Sequence, residues 1–403
     1  MNFIGIDLGA TKIKAGIISE NGRIIDKITT DTPVGGEVQT IVNSIGMLVD
    51  RLLKTDGINA RYIKDIDAKI PDMKASGVKV PDIKTANITE SNIKATGVRM
   101  PDIRTADAKV SDMEATGIKK SNIRAADVRK PGTKDAGAEI PGIKGIGIGI
   151  PGACNDEGLV YYAPNLFWNN VPLGKLLKEK INVPVFIEND ATMAAIGEAT
   201  CGIAKGISDC VLITLGTGIG GGIIINNNIY SGSHDIGGEI GHMVVGENFY
   251  DCNCGNNGCL ETFSSASALI KYTKKLLEDT EDNLIYNSRI FKKINGDMDL
   301  LDGKLIFDCA KKDDPIAAEA VDRLIKYLAI GIGNIINILD PEMIIIGGGI
   351  SKAGDYLIDK LSKEVPKTIW LKSMNLTKIV RASLGNDAGI IGSAMYAGSR
   401  LGI

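Results

Sequence analysis

Short apolar runs separated by glycine-rich turns fill most of this chain, and their spacing is of two kinds. Residues 3–6 read as a buried strand, and after a turn the apolar run at 13–18 returns as its hairpin partner. Over 38–54 the period changes: positions 38, 41, 42, 45, 48, 49, 52 and 53 form one helical stripe. Residues 145–150 alternate Gly and Ile, 184–187 form a short apolar strand, and a small-residue helix begins near Ala191. Two more strands, at 211–215 and 223–225, flank a glycine-rich turn at 216–222. A core-facing helix over 315–333 starts after Asp313 and Asp314, with apolar residues at 317, 320, 321, 324, 325 and 328. Pro341 stops helix formation ahead of a strand at 343–346, and 385–401 reads as a final helix. The stretch 276–304 carries no clear period and is expected to be irregular. Strands alternating with helices place the chain in the α/β class.

Between 55 and 144 neither period holds. An apolar residue recurs every fifth position from Ile58 through Ile63, Met73 and Val78 to Ile143, with Ala68, Ala108, Thr133 and Ala138 filling slots between. A period of five fits neither 3.6 nor 2.0, so this is a tandem repeat rather than an amphipathic helix or a plain strand. Two readings follow. Stacked repeats bury a continuous apolar row, whereas the lack of any aromatic residue over 65–144 and the abundance of Lys and Asp suit a flexible surface tract. The segment carries 15 Lys and Arg against 12 Asp and Glu, which reads as a solvated face. Removing these 80 of 403 residues leaves 323, enough for a two-domain enzyme that the repeat decorates.

Composition narrows the partners. A net charge of −3 and a pI near 5.7 give no reason to expect nucleic acid or an anionic membrane. The first residues lack the basic region and apolar core of a signal peptide, and the apolar region 328–350 is interrupted by Asn334, Asn337, Asp340, Pro341 and Glu342. A cytoplasmic protein is expected. Cys154, Cys201, Cys210 and Cys309 are scattered and read as small apolar residues in a reducing compartment.

Candidate chemistry gathers at four places. Over 237–261, Cys252, Cys254 and Cys259 supply three thiolates and His242 an imidazole, a set that closes a tetrahedral Zn²⁺ site. Glu239 and Glu261 bracket these ligands and stay free to accept hydrogen bonds from a polyol. After the first strand, Asp7, Gly9, Thr11 and Lys12 offer a carboxylate for Mg²⁺, close backbone approach, a hydroxyl and a cation to a phosphate, although an ordinary hairpin turn would look alike. Gly216, Thr217, Gly218 and Gly220 form a second anion-cradling turn that lacks the P-loop ending. Asn189 and Asp190 end a buried strand, where α/β sheets bind ligands; they suit either a substrate contact and general base, or a helix cap.

The run GEIGHM followed by CNCGNNGCLE resembles the signature of the ROK family (repressors, open reading frames and sugar kinases), and ENDATMAA is similar to that family's NDA motif. The resemblance implies the two-lobed actin-like ATPase (ribonuclease H-like) fold, with the two turns as its phosphate loops. It also implies that a structural Zn²⁺ on His242, Cys252, Cys254 and Cys259 shapes a loop under the sugar, with His242 also facing a hydroxyl. By the same likeness Gly152 and Asn165 contact substrate, Asp190 is the general base, and Gly347, Gly348 and Gly349 approach adenosine. The amino-terminal lobe is then 1–64, 145–188 and 385–403, the carboxy-terminal lobe is 189–384, and 65–144 is the insertion. Residues 65–144 resemble the pentapeptide repeat family, which implies a right-handed β-helix; Ile and Val in place of Leu or Phe, and frequent Pro and Gly, depart from that pattern. The implied activity is ATP-dependent phosphorylation of glucose by a homodimer. Kinases for fructose, allose, N-acetylmannosamine or N-acetylglucosamine remain as alternatives. So does a sugar-sensing repressor, which would need a DNA-binding segment ahead of the strand that Phe3 begins.

Overall fold

The computed structural model describes residues 1–33, 35, 37–55, 142–280, 285, 288–374 and 376–403. The chain divides into two compact units, Met1–Ile66 with Ala136–Ile403 and Asp67–Asp135, and every element below belongs to the first. The β-helix expected of the repeat lies outside the described residues. Only its last slot is visible. Ile143, counted with the repeat on spacing alone, is buried in a strand and pairs with Asn2.

The chain begins with β1 (Asn2–Leu8), β2 (Lys12–Ser19), β3 (Ile24–Asp31) and α1 (Val38–Thr55), and resumes with β4 (Ile143–Ile150). A small three-stranded sheet, β5 (Ala153–Cys154), β6 (Val160–Ala163) and β7 (Trp168–Val171), precedes α2 (Leu173–Lys178), β8 (Val185–Asn189) and α3 (Asp190–Thr200). Then come β9 (Cys210–Leu215), β10 (Ile219–Ile225), β11 (Asn228–Ile229), α4 (Glu261–Ser264), α5 (Ala266–Asp279), α6 (Arg289–Ile294), α7 (Gly303–Ala310) and α8 (Pro315–Leu339). The last elements are β12 (Met343–Gly347), α9 (Asp355–Glu364), β13 (Lys378–Arg381) and α10 (Ala388–Arg400).

The two large sheets follow one plan. The first has the order β3-β2-β1-β4-β8 and the second β11-β10-β9-β12-β13. In each, three antiparallel strands joined by tight turns are followed by two strands that pair in parallel. This duplicated sheet is the plan of the actin-like ATPase fold. The central parallel strands β4 and β12 are buried on both faces, and so they read as nearly unbroken Ile and Gly. Among the described residues no helix is long and apolar enough to cross a membrane.

Two sequence expectations change. The stretch 276–304 is largely helical where described, comprising the end of α5, all of α6 and the start of α7. Helices α6 and α7 are short, so end caps rather than a long stripe define them: Ser288 accepts from Phe291 N–H, and Asp302 from Leu305 N–H. The final helix begins at Ala388 rather than Gly385, because Gly385 sits at φ +56 in a 3₁₀ turn ahead of it. In α8, Asp314 accepts from Ala317 N–H to cap the start, and a left-handed Asp340 followed by Pro341 ends it.

Between the sheets lie α3 and α10. Helix α10 packs on β1, β4 and α3, while α3 packs on β9 and β10, so the pair forms the layer the two sheets share. Backbones approach here without side chains between them. A Cβ on Gly392 of α10 would lie 1.6 Å from the carbonyl oxygen of Met193 in α3, and one on Gly5 of β1 would lie 1.7 Å from that of Ile390. Gly392→Ala is therefore expected to cost about 3 kcal/mol, the upper end of ordinary overpacking. Urea unfolding should show a lower midpoint with unchanged slope; an unchanged midpoint would mean that the two helices separate freely.

Candidate active site

The turn between β1 and β2 is held by backbone and by the end of β3. Gly9 N–H donates to the Lys12 carbonyl at 2.9 Å, the Thr32 hydroxyl donates to the Gly9 carbonyl at 2.6 Å, and Thr32 N–H donates to the Thr11 carbonyl. Gly9 thus closes the turn instead of offering its N–H to a ligand, and Ala10 and Thr11 are left exposed at the tip. The cation beside Asp7 is not Lys12, which makes no ion pair among the described residues. It is Lys14, whose Nζ lies 3.0 Å from Asp7 Oδ2. The β1/β2 register sets Lys14 directly across from Asp7, and that register is the signal the motif reading passed over.

Asn189 ends β8 and Asp190 opens α3. Asn189 Oδ1 accepts from Ala191 N–H at 2.9 Å and Thr192 N–H at 3.1 Å, while its Nδ2 donates to the Gly152 carbonyl at 3.2 Å. Its amide therefore caps the helix and ties it to the turn after β4, so the expected grip on substrate hydroxyls reduces to one remaining amide hydrogen. Asp190 differs. Its Oδ1 accepts from Ala191 N–H at 2.8 Å, and apart from its own N–H no other described residue donates to the carboxylate. Burial, reinforced by the charges of Asp7 and Glu239, pushes its carboxyl up to about 7 against the pull of the Ala191 N–H. Glu188 is likewise pushed up to about 7, chiefly by burial.

In the second turn the glycines divide the work. Gly216 N–H donates to the Gly218 carbonyl, and Gly220 N–H donates to the Thr214 hydroxyl at 3.2 Å. Strand β10 already starts at Ile219, so Gly220 is not part of the turn as expected; a Cβ there would lie 2.8 Å from that of Ala191. The donors left to an anion are the N–H groups of Thr217 and Gly218. Glu261, at the head of α4, accepts from Ile219 N–H at 2.8 Å, so one of its carboxylate oxygens holds this turn.

The knuckle brings its four expected donors together. His242 Nδ1 and Cys252 Sγ are 3.6 Å apart, as are the Sγ atoms of Cys254 and Cys259, and all four donor atoms lie within 4.8 Å of one another. A tetrahedron with zinc–ligand bonds of ordinary length has edges of about 3.6–3.8 Å. The other ring nitrogen of His242, Nε2, faces Glu239 Oε2 at 3.9 Å. Gly258, at φ +88, lets the knuckle close, since a Cβ would lie 1.7 Å from the Gly246 carbonyl oxygen.

A narrow crevice joins Gly152, Asn189 and Glu239 with Glu188, Asp235 and Gly238. Asn165 is exposed in the 3₁₀ turn Pro164–Leu166 and does not line that crevice. Of the three glycines after β12, Gly347 is buried within the strand, Gly348 turns at φ +78 and Gly349 is exposed. Gly349 lines a cavity of about 380 Å³ with Ala266, Phe307, Lys311, Ile350 and Ala353. Phe307 sits in α7, the helix that begins at the end of the stretch expected to be irregular. Cys154, Cys210 and Cys309 are buried free thiols, and Cys201 is half-buried.

The sequence model described as "ROK family" matches residues 133–400. The chain is similar to a glucokinase of Thermotoga maritima, 30% identical across 100% of this chain and 99% of that one. It is also similar to a xylose repressor of Caldicellulosiruptor bescii, 36% identical over 61% of this chain and 60% of the repressor. Among solved structures, a ROK family glucokinase from Streptomyces griseus, in complex with glucose and AMPPNP, superposes with a TM-score of 0.67 at 26% identity, covering 99% of this chain and 100% of that one. With the family's model spanning most of the sequence, a relative matching it end to end and the duplicated sheet in place, the chain belongs to the ROK family.

Proposed function

We propose that the protein transfers the γ-phosphoryl group of ATP to the 6-hydroxyl of a hexose, glucose foremost. Asp190 carries the proposal: a carboxylate bound by no side chain, with a proton affinity near neutrality, at the head of a helix between two anion-holding turns. Full-length similarity to a glucokinase and likeness to a glucokinase structure with glucose and AMPPNP support it. Repressors of the family match as well, but a sugar sensor has no use for such a base beside two phosphate turns.

Phosphoryl transfer asks a protein mainly to position reactants and offset charge. In this reading the exposed tips of the two turns, Ala10 with Thr11 and Thr217 with Gly218, hold phosphate oxygens, and Lys12 and Lys14 add positive charge. Asp7 would hold Mg²⁺ through its water shell, the ion neutralising phosphate charge when bound. Asp190 accepts the proton of the attacking hydroxyl, while Glu239 and His242 orient neighbouring hydroxyls. His242, Cys252, Cys254 and Cys259 would hold Zn²⁺, which supplies a cross-link and no open coordination position. The cavity at Gly349 suits an adenosine.

Asp190→Asn should retain sugar and nucleotide binding and lose about two to four orders of magnitude in turnover. For the unaltered enzyme, kcat/KM should rise with pH up to about 7 and then level, since only the ionised carboxyl accepts a proton. Coupled ADP release over a panel of hexoses measures both; single-turnover rates near those of the unaltered protein would remove Asp190 from the role.

The same group predicts stability. Unfolded, Asp190 ionises at about pH 4; folded, it ionises at about 7. Between these values the folded protein holds a proton the unfolded chain has lost, so stability declines as pH rises, and the penalty is complete above 7. Asp190→Asn should therefore be more stable than the unaltered protein by about 1–2 kcal/mol at pH 8 and equal to it near pH 4. Urea titrations at both values test this, and an equal difference at both would refute the linkage.

For the knuckle, Cys254→Ser should purify with well under one equivalent of zinc, because three ligands no longer close the tetrahedron. Metal analysis that finds no zinc in the unaltered protein would overturn the assignment.

A further inference from the structure

Helix α8 carries a half-buried cation, Arg323, that pairs with no carboxylate among the described residues. Four aromatic rings enclose it. Its guanidinium carbon lies 4.3 Å from the ring centre of Tyr272, 4.7 Å from Phe263, 5.3 Å from Tyr327 and 5.8 Å from Phe249. Ring faces attract a desolvated cation without neutralising it, so the planar edge of the guanidinium keeps its N–H groups to donate. That edge has a definite target: Nη2 donates to Asn248 Oδ1 at 2.7 Å.

Asn248 is the residue on which the knuckle is fastened. Its Nδ2 donates to the Thr262 carbonyl at 2.7 Å, its N–H donates to Asn257 Oδ1 at 2.8 Å, and its carbonyl accepts from Asn257 Nδ2 at 3.0 Å. Asn257 lies between Cys254 and Cys259. Thr262 follows Glu261, which holds the second phosphate turn through Ile219 N–H. Hydrogen bonds and short stretches of backbone, Asn257 to Cys259 and Thr262 to Glu261, thus lead from Arg323 to both the four-donor cluster and the second glycine-rich turn.

We infer that Arg323 is a positioning residue that fixes the sugar-side knuckle against α8, acting through Asn248. Because its reach to sugar binding rests on the hexose-kinase reading, the test includes measurements that do not require turnover. Lysine fills the aromatic cage as a point charge but lacks the planar fork, so Arg323→Lys separates the fork from the charge. Asn248→Ala removes the contact and leaves the buried cage whole, which keeps the test valid if an Arg323 variant does not fold.

In both variants, amide hydrogen exchange over 244–262 should quicken by about tenfold and zinc should pass to a competing chelator about tenfold faster, while exchange in the first sheet stays unchanged. Hexose KM should rise by roughly tenfold, with ATP KM within about twofold of the unaltered enzyme. Exchange over 244–262, zinc transfer and hexose KM all unchanged in both variants would overturn the inference. A uniform rise in exchange across both sheets would overturn it too, since that marks general destabilisation. If the unaltered protein phosphorylates no hexose, the kinase reading falls, and exchange together with zinc transfer still decides the role of Arg323.

Discussion

The backbone-to-backbone packing of α10 against α3 and the first sheet is the constraint on which the rest of the molecule depends. A Cβ on Gly392, Gly5 or Gly147 would fall within 1.8 Å of a facing carbonyl oxygen, so these three surfaces meet without side chains between them. Interiors this close are bistable rather than compliant, and their spacing is transmitted outward. Asp7 ends the strand that α10 covers, and a Cβ on Gly389 of α10 would lie 3.2 Å from the Asp7 carboxyl carbon. Asp190 opens the helix that α10 touches from the other side. The separation of these two carboxylates, which stand at the ends of two strands of the first sheet, is therefore set by glycine contacts deep in the shared layer.

Burial, reinforced by that proximity, accounts for the electrostatics of the site. Two structural carboxylates show the contrast. Glu198, fully buried in α3, accepts from Ile203 N–H, Leu384 N–H and the Ser383 hydroxyl. Asp314 accepts from the Ser288 hydroxyl and from Ile290 and Ala317 N–H groups. Each is saturated with donors, as a buried anion requires. Asp190 accepts only from the N–H groups of Ala191 and of its own residue; burial, with Asp7 and Glu239 facing it, leaves its charge poorly compensated and raises its proton affinity. A base poised near neutrality is what acid–base chemistry in water favours, and the folded state bears the cost.

The second lobe solves a different problem, which is to hold an irregular segment still. From Val244 to Leu260 the backbone forms no strand, only isolated bridges, Val244 with Cys259 and Asp251 with Asn257, and a few turn hydrogen bonds. Side chains supply the rest: the four-donor cluster at one end, and at the other Asn248, Asn257 and Tyr250, whose hydroxyl donates to the Thr262 carbonyl at 2.7 Å. Helix α8 is the support behind them, 25 residues long and buried along most of one side.

Much of this was legible in the sequence, because local patterns encode local structure. Apolar alternation and stripes foretold β1, β2, α1, β4, β9, α8 and β12, and the cysteine and histidine spacing foretold the knuckle, whose four donors lie within 20 residues of one another. Local sequence left Asn189 and Asp190 as either substrate contact and base or helix cap, and the fold gives the cap to Asn189. Lys14 was hidden because its partner Asp7 is chosen by hairpin register, not by motif spacing. Gly220 was misread because a strand's beginning depends on its partner, here Leu215 facing Ile219. The short helices α6 and α7, six and eight residues long, form where caps and tertiary burial decide, so no long stripe announced them. Sequence fixes which chemistry is present and the period of each segment. Which atoms face one another across Gly392, or between Arg323 and Asn248, residues 75 positions apart, is decided by long-range packing, since side chains distant along the chain meet only once both sheets and the layer between them are closed.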